Sequence, residues 1–121
     1  TFYYLTFLFD QKKFKINRDL FVKAMNMEGI PLELGGYAPL YNQPLYKKRI
    51  AFGKKNFPFS LNNKIRYKKG DCPVAERLWY KDLFYFPIDE VVPPLNKIKL
   101  FSKAIKKILD NQDLIIKKNI K

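Results

Sequence analysis

Cys72 stands immediately before Pro73 in Gly70-Asp71-Cys72-Pro73-Val74-Ala75-Glu76-Arg77-Leu78. Pro73 suits the first turn of a helix, because its missing N–H has no partner there anyway. A thiol at such a helix start has its pKa lowered by the helix dipole and becomes a nucleophile. The plainer reading, preferred here, is a small buried residue at a helix start. A second chemistry is written between Tyr46 and Lys69. Lys47, Lys48, Arg49, Lys54, Lys55, Arg66, Lys68 and Lys69 alternate with Tyr46, Phe52, Phe57, Phe59 and Tyr67. Interleaved cations and rings suit single-stranded nucleic acid, so a small basic nucleic-acid-binding module is the alternative reading. Lysines also run along the last helix, and a dedicated site concentrates its charge, so nucleic acid is not the expected partner.

Other chemistries are excluded. The chain has no His, which removes histidine-based nucleophile pairs, metal sites and pH switches. One Cys allows neither an internal disulfide nor a thiolate zinc cluster, and it fits a reducing compartment. Gly29, Gly35, Gly36, Gly53 and Gly70 form no phosphate-cradling loop. Glu33, Glu76 and Asp82 are scattered and Asp89-Glu90 sits at a turn, so no metal cage is expected. Composition alone shows no complete active site.

The elements that must position these groups fit one domain of 121 residues, with a net charge of +13 and 47% apolar residues. Thr1 to Phe9 reads as a strand apolar on both faces, which therefore needs cover on both. It is too short to span a bilayer, which takes about 20 helical residues, and it lacks the marks of a secretory signal. Asn17 to Glu28 reads as a helix with Asn17 as N-cap, Gly29 beyond its end, and Leu20, Phe21, Ala24 and Met27 on one face. Met25 and Met27 read as core filling. Ile30 to Leu34 reads as a short strand. From Tyr37 to Gly70 periodicity is lost, yet seven aromatic residues argue for an ordered excursion pinned by its rings against another surface. Cys72 to Asp82 reads as a helix, Leu83 to Pro87 as a strand and Val91 to Pro94 as a break. Asn96 to Leu109 reads as an amphipathic helix burying Ile98, Phe101, Ile105, Ile108 and Leu109. Asp110 to Lys121 reads as a frayed tail. The expected fold is a small α/β domain, α+β-like, with a short, mostly antiparallel sheet, packed helices and a long irregular excursion.

Tyr37-Ala38-Pro39-Leu40-Tyr41-Asn42-Gln43-Pro44-Leu45-Tyr46, followed by the Cys-Pro-Val-Ala-Glu-Arg run, a Leu-Phe-Tyr-Phe-Pro strand and a last amphipathic helix, resembles the C-terminal domain of the DegT/DnrJ/EryC1/StrS sugar aminotransferases. These are pyridoxal-phosphate enzymes of fold type I, and the motif pair looks closest to the branch that aminates keto-cyclitols and keto-sugars. The resemblance covers residues 3–111. It implies a small C-terminal domain over 1–111 and a basic tail over 112–121, in a fragment whose cofactor-bearing N-terminal domain is missing.

The resemblance further implies a cytoplasmic, homodimeric enzyme moving an amino group from glutamate or glutamine to a keto-sugar or keto-cyclitol. The cofactor is the electron sink and the protein orients it. No lysine of this chain matches the Schiff-base lysine, so the fragment alone is expected to be inactive. Tyr37 and Tyr41 become candidates for lining the substrate pocket, since rings pack on the apolar face of a sugar. Packing or interface roles for both stay open. Arg49, Lys54 and Lys55 become possible phosphate contacts if the substrate is phosphorylated. Cys72, Pro73, Glu76 and Arg77 become a structural motif, with Glu76 and Arg77 in an ion pair or capping network that holds the excursion. A stand-alone interaction domain left from a split enzyme is a third reading.

Overall fold

The structure is a computed structural model, and it describes residues 4–87 and 95–119. Three strands make one antiparallel sheet: β1 (Tyr4–Leu8), β2 (Glu33–Leu34) and β3 (Leu83–Pro87), in the order β1-β3-β2. The last strand in the chain is therefore the central one. β1 and β2 run the same way on either side of it, and α1 (Arg18–Met27) crosses between them, which makes a split β-α-β unit. The small α/β domain with an antiparallel sheet is the fold expected from the sequence.

Side chains alternate across the strands, so pairing fixes two faces. Phe7 lies opposite Phe84, and Leu34 lies opposite Phe84 on the other side. Phe7 stacks on Phe84 at 5.2 Å and on Phe101 at 5.8 Å, and Phe21 meets Phe84 edge-on at 5.6 Å. That face is covered by α1 and by α4 (Leu95–Asp110), with Ile16 and Met25 fully buried in the core. The opposite face carries Tyr4, Thr6, Leu83, Tyr85 and Glu33. Cover on both faces of β1 was expected, and here the second face is only partly covered: Leu8 is 69% exposed.

Asn17 caps α1 as expected, its side-chain oxygen accepting from the Leu20 N–H at 2.9 Å. Gly29 follows with φ +81°, the left-handed conformation that ends helices. The buried face is Phe21, Val22 and Met25, one position round from the one expected, and Met27 is exposed. Asn26 explains the shift: its amide accepts from the Leu32 N–H at 2.7 Å and donates to the Leu32 carbonyl at 3.0 Å, which turns the chain back under that face. The extended pairing after it covers Glu33 and Leu34 alone. On α4, Ala104 and Ile108 are buried while Ile98 and Leu109 are exposed.

The frayed tail is overturned. Residues 112–119 form α5 (Gln112–Asn119), and Ile115 and Ile116 pack against the core. Gln112 is buried, with its side-chain oxygen accepting from the Lys15 N–H at 2.6 Å. Lys15 Nζ pairs with Asp113 at 2.9 Å. The lysine-rich composition concealed two isoleucines and a buried amide that together pin the segment. The start of the first strand and the Val91–Pro94 break, with Asp89-Glu90, lie outside the described residues.

The excursion of residues 37–70 is built of single turns. They are a 3-10 turn at Leu40–Asn42, α2 (Pro44–Lys47), a Phe52–Phe57 bridge and a second 3-10 turn at Phe59–Leu61. Tyr46, Phe59 and Tyr67 meet edge-to-face with centroids 5.4 to 6.3 Å apart. The excursion is thus pinned by its own rings.

Candidate functional site: the junction of the excursion with the second helix start

Pro39 is buried and begins the 3-10 turn, its carbonyl accepting from the Asn42 N–H at 2.8 Å. That turn places the half-buried Tyr41 against α3 (Pro73–Arg77). The Tyr41 hydroxyl donates to Glu76 Oε1 at 2.5 Å. The same oxygen accepts from the Gly70 N–H at 2.6 Å. Gly70 has φ +97°, which aims its amide at the helix. One carboxylate oxygen therefore joins the two ends of the excursion to α3.

The electrostatics follow from this geometry. Glu76 is held below the ordinary carboxylate value by the Gly70 N–H first and the Tyr41 hydroxyl second, with Lys69 and Lys47 adding to it. Burial first, then the hydrogen bond to the adjacent Glu76 carboxylate and its negative charge, push the Tyr41 phenol up to about 12. At neutral pH the tyrosine is protonated and the glutamate ionised. The pair positions chain; it does not exchange a proton.

The remaining expected site residues fall as follows. Tyr37 is 78% exposed and lies on the rim of a groove. Arg49 sits inside the excursion with φ +53°. Its guanidinium donates to the carbonyls of Ile65 at 2.7 Å, Asn62 at 2.8 Å and Phe59. Lys54 and Lys55 are exposed in the turn between Phe52 and Phe57. Pro73 opens α3 as expected. Cys72 is exposed, not buried, and makes no side-chain cap bond. Arg77 does not pair with Glu76; its Nε meets Asp82 at 2.9 Å.

Beyond Arg77 the helix widens into a π-turn, Leu78–Asp82, which leads straight into β3. Two contacts of this turn and one between β2 and β3 were not read from the sequence. Arg18 is 5% exposed and donates to the carbonyls of Trp79 at 2.7 Å, Tyr80 at 3.2 Å and Leu83 at 2.9 Å, with Asp19 as its counter-ion at 2.8 Å. Trp79 packs on Gly35, where an added Cβ would stand 2.5 Å from the ring. Glu33 accepts from the Tyr85 hydroxyl. The one available signal was an arginine directly after the N-cap, on the apolar side of α1.

Tyr4, Thr6, Tyr37, Ala75, Trp79 and Tyr85 line a groove of about 410 Å³ on the second face of the sheet. Its lining is mostly aromatic and apolar, with Thr6 as the one non-aromatic side chain that bears a hydroxyl.

Pyridoxal phosphate does not fit the described residues. Each lysine whose side chain is described is exposed, so none is held in the desolvated pocket that activates a Schiff-base lysine. Among the described residues no group of acidic or thiol side chains is placed to hold a metal ion. No described helix is long and apolar enough to cross a membrane. No protein-family model, curated protein or solved structure matches this chain.

Proposed function

We propose that this chain is the small domain of a pyridoxal-phosphate-dependent aminotransferase acting on a keto-sugar or keto-cyclitol. The cofactor is held by a further domain that carries the lysine. The observation that carries this reading is the Tyr41–Glu76–Gly70 junction. It ties the Tyr-Ala-Pro-Leu-Tyr segment to the Cys-Pro-Val-Ala-Glu-Arg helix, the two segments that carry the family resemblance. Both segments then contribute to one groove, through Tyr37 and Ala75. In this reading the groove's rings stack on the apolar face of a cyclic polyol and their hydroxyls bond to it. Tyr41 acts one step back by fixing Tyr37. The enzyme works as a cytoplasmic homodimer with glutamate or glutamine as donor.

The test uses the whole natural gene product with pyridoxal phosphate, amino-15N-labelled glutamate or glutamine, and a panel of keto-cyclitols and keto-sugars. Mass spectrometry should find label on one or more products, with the ketone oxygen replaced by an amino group. A folded protein that labels no ketone in the panel contradicts the reading.

A further inference from the structure

Lysines are spread along the chain, the last helix included, but the net charge is not, and this reverses the expectation drawn from the spread of lysines alone. Residues 37–70 hold nine cations, Lys47, Lys48, Arg49, Lys54, Lys55, Lys64, Arg66, Lys68 and Lys69, and no Asp or Glu. The remaining residues hold 24 − 9 = 15 cations against 11 carboxylates. The excursion thus contributes +9 of the +13. Among the described residues, all ion pairs lie outside it. Its two arginines are turned onto the chain itself, Arg49 onto three carbonyls and Arg66 onto those of Asn63 and Ile65. Its seven lysines are all exposed. Phe52 and Phe57 are 81% and 54% exposed, paired across the turn that carries Lys54 and Lys55. Lys47 and Lys69 face the Glu76 carboxylate, and the other five lysines make no ion pair among the described residues, so the surface is complementary to an external polyanion.

We infer that the excursion binds single-stranded nucleic acid without sequence preference, with its lysines on the phosphates and Phe52 and Phe57 as stacking platforms. Three features favour this ligand. Lysine is depleted from protein–protein interfaces, whereas it serves well as a point charge for phosphate. Exposed rings beside cations are the stacking platforms of single-strand binders. A membrane-inserting tip would carry its apolar groups outermost, and here the tip carries Lys54 and Lys55. Arg49 directs its guanidinium onto backbone carbonyls, so the excursion presents mainly lysines, point charges that do not read base edges, which accounts for the absence of sequence preference. The inference does not rest on the aminotransferase reading.

The full chain is titrated with a fluorescent thymidine oligonucleotide, with poly-glutamate and with phosphatidylserine vesicles, at several salt concentrations. The oligonucleotide should bind, with log K falling against log salt at a slope of about −3 for some four lysine–phosphate contacts. The double variant Lys54→Gln/Lys55→Gln should flatten that slope. Phe52→Ala should weaken binding by about tenfold at unchanged slope, because one ring stack is lost. Lys99→Gln/Lys103→Gln on α4 removes as much charge and should change binding little. Circular dichroism checks that each variant is folded. The inference is overturned by no oligonucleotide binding at low salt, by equal binding of poly-glutamate with no effect of Phe52→Ala, by preference for the vesicles, or by equal losses from the α4 and excursion variants.

Discussion

The hydroxyl of Tyr41 and the carboxylate of Glu76 meet at 2.5 Å, and the oxygen they share also holds the amide of Gly70. Residues far apart in sequence are thereby closed around one charge. The junction has a definite pH window. Glu76 titrates below its ordinary value in the folded chain, so its contribution is complete above pH 4.5 and is lost as pH falls through the lowered value. Tyr41 titrates above its ordinary value of 10.0, so its contribution is complete below that pH and is lost as pH rises through about 12. Ultraviolet titration of the phenolates should show a component near 12 that Tyr41→Phe reduces by one tyrosine.

Arg18 is the support for the π-turn. Replacing it with Met removes the side-chain donor of three part-buried carbonyls, of which only that of Leu83 keeps the Gly35 N–H, and equilibrium urea unfolding should show a loss of about 2 kcal/mol. Arg18→Lys should recover only part of that loss, because an ammonium cannot reproduce the fork.

Gly35 and Trp79 form a second contact that tolerates no addition. Gly35→Ala places a methyl group 2.5 Å from the indole and forces a side chain to φ +79°. The ring must move, at a cost of about 2 kcal/mol or more. Trp79 is the single tryptophan, so its fluorescence should shift to the red as the ring leaves the groove.

Removal of residues 112–121 should destabilise the domain by about 3 kcal/mol, because Ile115, Ile116 and the buried Gln112 all lose their places. A dispensable tail would leave the urea midpoint unchanged.

The strands and α1 were legible because their signals are local. They are β-branched and aromatic runs, an asparagine at the N-cap and a glycine at the C-terminal stop. The order of the strands was not, since nothing in Leu83 to Pro87 says that it inserts between the two earlier strands. α5 was hidden because lysine content speaks of solvent, while burial of Gln112 depends on a loop near the other end of the chain. Tyr37 and Tyr41 were marked by the same motif, and the fold separates them, one exposed on the groove and one tied to Glu76. The buried role of Arg18 depends on carbonyls more than sixty residues away, and no spacing along the chain reports that.

The central claim is that residues 37–70 are an ordered element closed onto α3 through Glu76. Hydrogen exchange at the Gly70 amide tests it most directly, read in the intact protein and in Glu76→Gln and Tyr41→Phe. Slow exchange in the parent protein, faster in both variants while the β3 amides keep their protection, is the result expected. A Gly70 amide that exchanges as fast in the parent protein as in an unstructured peptide would contradict the claim.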